Sequence, residues 1–198
     1  MAMGDNDTAY FSIPVTSFRS RKAAQLCAYF ALKCEGKIEK LKLIKLIYAT
    51  EREFVREYRM PMLFDEFYSL HNGPICSSTL NGINGIVQTD AKKIWDNYIA
   101  RNGNVVVAVK NFSQDDLDEL SEAEIENIEK VWKRLGHKTA SGLRNYSHEN
   151  FPEYTDVEKG NRLPISYKDL FEGLGFDHGD DFDQEVQSMR KAESALCG

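Results

Sequence analysis

Four cysteines and four histidines are the side chains of this 198-residue chain best suited to metal or nucleophilic chemistry. Cys27, Cys34, Cys76 and Cys197 form no Cys-x-x-Cys pair. Cys27 and Cys34 are seven apart on one expected helix, about two turns or ~10 Å, which a disulfide cannot span. They read as small buried hydrophobes of a reducing compartment. The histidines are His71, His137, His148 and His178, with no pair at helical metal spacing and no third ligand in sight for zinc. His178 sits among Asp177, Asp180, Asp181 and Asp183 without the spacing of a calcium loop, so the run reads as solvated acid. A hydrolytic or metal-dependent reading would use His71, Cys76 and His148. Cys76 stands at an expected helix start, a position that lowers a thiol pKa, and either histidine would be its base. No serine lies in a nucleophile elbow, and Asn81-Gly82-Ile83-Asn84-Gly85 lacks the lysine of a phosphate loop. The expectation is therefore a protein that is not an enzyme, with no cofactor, metal or catalytic residue.

The elements that would position these residues follow from periodicity. Residues 9–16 are apolar, partly alternating and broken by Pro14, which suits an extended arm or edge strand carrying Tyr10, Phe11, Ile13 and Val15. A first helix is expected from Ser17 or Ser20 to just before Gly36. A second runs from Ile38 to Tyr58, with Leu41, Ile44, Tyr48 and Val55 on one stripe and Leu43, Leu46, Ile47 and Phe54 widening it, so it should be central. Its second half, Glu51 to Glu53 with Arg56 and Glu57, reads as polar and outward. Lys37, Lys40, Lys42 and Lys45 read as a solvated face. Met62–His71 reads as extended, Asn72-Gly73-Pro74 as a turn, and Pro74 as the first residue of a short helix ending at Gly82 or Gly85. Residues 94–110 read as a hairpin turning at Asn102-Gly103, with Trp95, Tyr98 and Ile99 in its first arm. Ser121 with Glu124 forms a capping box, and Ser166 with Asp169 a similar one. Thr139 opens a shorter helix, and a polar helix follows the acidic run near the C-terminus.

Composition fits one soluble domain: 42% hydrophobic and 28% charged residues. No uninterrupted apolar run approaches the roughly 18 residues of a membrane span, and no signal peptide is legible in the first residues, so the cytoplasm is expected. A net charge of −6 counts against a broad phosphate-binding surface, and so against a nucleic-acid-binding regulator.

Three segments together resemble the Panacea domain of SocA-like bacterial and phage antitoxins. Lys42-Leu43-Ile44-Lys45-Leu46-Ile47-Tyr48 is similar to the family's lysine- and leucine-rich helix ending in tyrosine. Phe64 to Ile75 leads through Asn72-Gly73-Pro74 to a similarly placed glycine-proline turn. The Leu120-Ser121 helix start, Trp132, Leu135-Gly136, Thr139 to Leu143, Ser147-His148 and Pro152 resemble the late portion. The likeness runs over residues 20–175; Ile75, Ser147 and Tyr154 depart from the valine, threonine and tryptophan expected there.

The fold expected is a mainly helical α+β single domain with a small antiparallel sheet or hairpin. Residues 1–16 would be an arm, 17–176 the Panacea-like domain and 177–198 an acidic tail or helix. The resemblance implies an antitoxin that binds and neutralises a cognate protein toxin by direct contact, in some relatives by handing it to a cellular protease. Neither direct DNA binding nor a membrane is expected, and the resemblance leaves the oligomeric state open. Tyr10, Phe11, Ile13 and Val15 are candidate toxin contacts, since what varies among partners should lie outside the common core. Lys42, Leu43, Leu46, Tyr48, Gly73, Pro74 and His148 are expected to be scaffold.

Overall fold

The structure, a computed structural model, describes residues 17–196. The expected arm with Tyr10, Phe11, Ile13 and Val15 lies outside the described residues. Along the chain come α1 (Ser20–Leu32), β1 (Lys37–Glu39), α2 (Lys40–Tyr58), β2 (Phe67–Leu70), β3 (Gly73–Cys76), α3 (Ser77–Asn84) and α4 (Thr89–Asp96). Then follow β4 (Ile99–Asn102), β5 (Val105–Ala108), α5 (Glu122–Leu135), α6 (Ala140–Asn150), β6 (Arg162–Ile165), α7 (Tyr167–Gly173) and α8 (Gly179–Leu196). This is the mainly helical α+β domain that the periodicity predicts, with two small sheets where one was expected. No described helix is long and apolar enough to cross a membrane.

α2 is central because it is apolar on opposite sides. Leu43, Leu46 and Ile47 are fully buried, as are the Val55 and Tyr48 positions within about 1%. It packs on α5 and α6 and against β3. α1 covers the inner side of β5 and touches α3 and α4; its Ala23, Ala24, Cys27, Ala28 and Ala31 let these neighbours approach closely. The helix starts that rest on local chemistry form as expected. Ser121 and Glu124 make a reciprocal capping box, as do Ser166 and Asp169, and the Thr139 hydroxyl accepts from the Gly142 amide.

The first sheet has the order β1-β5-β4 and the second β3-β2-β6, antiparallel throughout. Three local expectations are corrected here. The second helix does not begin at Ile38: Lys37-Ile38-Glu39 is a strand, buried only at Ile38, which faces Val106 of β5. Pro74 does not open a helix. It lies in β3 opposite Ser69, and α3 begins at Ser77. The hairpin is shorter than residues 94–110, because Trp95 belongs to α4; Asn102 pairs with Val105, so the two-residue turn is Gly103-Asn104.

The second half of α2 is also not outward throughout. Glu51 is 1% and Glu53 7% exposed. Glu51 falls on the same stripe as Ile44, Tyr48 and Val55, so the helix carries a carboxylate into the core. α8 begins at Gly179, within the acidic run, and buries Phe182 and Val186. Phe182 stacks on Phe171 of α7 at 4.3 Å, and Arg190 donates to the carbonyls of Phe64 and Asp65 at 3.0 Å each.

Candidate functional site

The three motif segments meet beneath the tip of the β2–β3 hairpin. Lys45 is only 2% exposed, not part of a solvated face. Its position on α2 aims the side chain at β3, where Nζ donates to the Pro74 carbonyl at 2.7 Å. Burial holds this lysine well below its ordinary pKa, and the nearby Arg144 pushes the same way. Gly73 has φ +95°, and a β-carbon there would lie 2.7 Å from Ser147 Oγ and 2.9 Å from Lys45 Nζ. Glycine is needed at this point for two reasons, the positive φ and the close approach. The lysine-rich helix, the glycine-proline turn and Ser147-His148 thus form one packed unit.

A second polar group lies further along α2. The Tyr48 hydroxyl donates to Glu153 Oε1 at 3.0 Å, and Arg52 Nε donates to the same oxygen at 2.8 Å. Arg52 also donates to the Gly173 carbonyl at 3.0 Å and lies over the Phe151 ring. Burial, then Glu153, raises the Tyr48 phenol well above its usual range. These contacts tie the loop after α6 to α2. Tyr154, at the position expected to hold tryptophan, shares its one hydroxyl proton between the Leu70 carbonyl at 3.1 Å and Asp156 Oδ1 at 3.0 Å, so it anchors the same loop to β2.

Two buried carboxylates complete the frame. Glu51 accepts from the amides of Met62 and Leu63 at 3.1 Å. Asp65 accepts from Ser78 N at 2.7 Å, Thr79 N at 2.9 Å and Thr79 Oγ1 at 2.6 Å, so it caps α3 from outside the helix. Burial pushes the Glu51 carboxyl up to about 8 and raises Asp65 as well. Neither residue was singled out from sequence. The signal for Glu51 was its place on the apolar stripe of α2; Asp65 carried none, since its partners lie thirteen residues on.

The candidate catalytic residues are not brought together. Cys76 pairs with Phe67 at one end of the β2–β3 hairpin, and His71 follows Leu70 at the other. Four strand positions separate them, roughly 13 Å. Burial, then Asp65 and Glu51, raises the Cys76 thiol well above its usual value, the reverse of what a nucleophile needs. His71 Nδ1 lies 3.3 Å from the Val157 carbonyl. The His148 ring lies against Tyr154, with centroids 4.4 Å apart and planes tilted by 33°, and burial, then Arg144, lowers its pKa. Among the described residues no three His, Cys, Asp or Glu side chains gather as a metal-holding group. Of the other motif residues, Leu43 and Leu46 are fully buried, and Lys42 donates to the Gly136 carbonyl at 2.7 Å beside the Trp132 ring.

The family model for the SocA-like antitoxin, Panacea domain, matches residues 43–152, more than half of the chain. The chain belongs to this family. The matched stretch contains Lys45, Gly73-Pro74 and Ser147-His148, the three segments that pack on one another. No match is found among the curated proteins or among the solved structures.

Proposed function

We propose that this chain is an antitoxin that binds a cognate protein toxin and neutralises it by direct contact in the cytoplasm. Membership of the SocA-like antitoxin family carries the reading. The buried thiol of Cys76, distant from His71, favours it over thiol hydrolysis, and the net charge of −6 favours it over nucleic-acid binding. Leu43, Lys45, Leu46 and Tyr48 of the motif helix are interior, so a toxin would be met by surface features around them. Tyr10, Phe11, Ile13 and Val15 are proposed contacts, since aromatic and branched side chains make good interface anchors.

The test is co-expression with the product of the adjoining gene, alone and with this chain. Rescue of growth together with co-purification of the two proteins is the expected result. An adjoining product that is harmless alone, or toxicity that this chain does not relieve, would overturn the reading. Occlusion leaves a stable complex; delivery to a cellular protease instead lowers the toxin level with no complex accumulating. Removing residues 1–16 should weaken binding at least tenfold, about 1.4 kcal/mol, while leaving the melting temperature unchanged.

A further inference from the structure

Cationic side chains at the surface of this domain commonly face carboxylates: Arg21 with Asp118, Lys33 with Glu129, Lys130 with Glu57, Arg134 with Glu53 and Lys168 with Asp180. Arg144 on α6 departs from that pattern. Its guanidinium makes no ion pair with any described residue, and its Nε is buried without a hydrogen-bond partner. One helical turn on, His148 Nε2 is buried and unpartnered in the same way. Residues four apart on a helix share a face, so the two groups are neighbours. The groups that act on His148 are mostly cationic: Arg144, Lys45 and His71, against the single acid Asp156. Asp156 already accepts the Tyr154 hydroxyl at 3.0 Å.

A buried donor without an acceptor is unfavourable, and native proteins keep few of them. A guanidinium with no carboxylate partner and a buried, unpartnered Nε, beside a second unpartnered nitrogen in a chain that is acidic as a whole, is complementary to one kind of group. We propose that Arg144 and His148, one turn apart on α6 beside the Gly73 turn, receive an acidic side chain of the protein partner. The planar fork of arginine suits a carboxylate, which it grips through two parallel N–H donors. The Tyr154 ring, tilted at 33° against His148 with centroids 4.4 Å apart, supplies an apolar wall on one side of such a pair. The inference takes the nature of the partner from the antitoxin reading, but the site itself stands on the geometry of α6.

The experiment uses the full chain and two probes. The first is poly-L-glutamate, followed by the ring resonances of the four histidines in wild type, Arg144→Gln and Arg144→Lys. The His148 ring should shift while His137 and His178 stay still. Arg144→Gln should respond at least tenfold more weakly, and Arg144→Lys, which keeps the charge but loses the fork, should fall between. Arg144→Gln should melt no lower than wild type, since this side chain holds nothing described in place and its buried Nε lacks an acceptor; the lysine variant serves if it does not. An unmoved His148, an equal shift in Arg144→Gln, or an equal shift with inorganic phosphate at matched ionic strength would overturn the proposal. The second probe is the product of the adjoining gene. If it binds wild type and Arg144→Gln equally tightly, the docking site is refuted while the antitoxin reading stands. If it binds neither, while poly-L-glutamate still reaches His148 through Arg144, the antitoxin reading fails and the site survives.

Discussion

Replacing Gly73 by alanine separates two costs that a second glycine lets one measure apart. At φ +95° an alanine is strained, by about 1–3 kcal/mol. Its β-carbon would also lie 2.7 Å from Ser147 Oγ, 2.9 Å from Lys45 Nζ and 3.2 Å from Lys45 Cε. Lys45 must then give way and release the Pro74 carbonyl, leaving a buried donor unpaired for about 1–3 kcal/mol more. The sum is roughly 2–6 kcal/mol, a large share of the roughly 5–15 kcal/mol by which domains are usually stable. Gly36 has a similar φ, +87°, but nothing within 4 Å of its β position. Gly36→Ala therefore carries the backbone strain alone. Urea denaturation followed by circular dichroism at 25 °C compares them. With an m-value near ~2 kcal/mol/M, a difference of about 2 kcal/mol places the Gly73→Ala midpoint about 1 M below that of Gly36→Ala. Adding Ser147→Ala to Gly73→Ala should recover part of the loss. Equal midpoints for the two alanine variants would refute the steric argument and reduce the motif glycine to its backbone angle.

Three further outcomes are expected. Glu51 holds a proton in the folded state up to about pH 8 that the unfolded chain releases near pH 4.5, so folding stability should fall as pH rises through that window. Glu51→Gln should flatten that slope, measured as the difference between the two stability–pH curves; parallel curves would show that the carboxyl titrates normally. Cys76, buried with its thiol pKa raised, should resist iodoacetamide in the native protein and react once urea unfolds it, as peptide mass analysis would show; rapid native alkylation would reopen the nucleophile reading. Leu46→Asp should leave no cooperative thermal transition, because an unpaired carboxylate in a fully buried position of α2 costs several kcal/mol; a melting point close to wild type would refute the central placement of that helix.

What was legible in the sequence was chemistry closed within a few residues. The capping boxes at Ser121 and Ser166 need partners only three positions on, and the apolar width of α2 is written in consecutive turns. What escaped was settled at a distance. Lys37-Ile38-Glu39 is too short to announce a strand, and becomes one because Val105–Val107 lies beside it. Pro74 carries a good helix-start signal, but the Lys45 Nζ donor and the Ser69 partner fix it in a strand. Lys45 and Glu51 read as surface charge, and Asp65 drew no reading at all, because burial of a charged group depends on acceptors and donors that only the tertiary structure supplies. The candidate site divides the same way: the motif segments could be named one by one, but their meeting under the hairpin tip, and the unpaired nitrogens of Arg144 and His148, could not.

The second sheet has a consequence for synthesis on the ribosome. β2 gains β3 almost as soon as both are made, since only a tight turn separates them. Its other edge waits for β6, because Phe67 pairs with Ile165. At roughly 5–20 residues per second, that interval lasts roughly 5–20 s. Through it, the nascent chain displays an open row of amides and carbonyls on Phe67–Leu70, a template for any extended segment nearby. The late arrival of one four-residue strand thus leaves β2 with an unpaired edge until residues 162–165 are made.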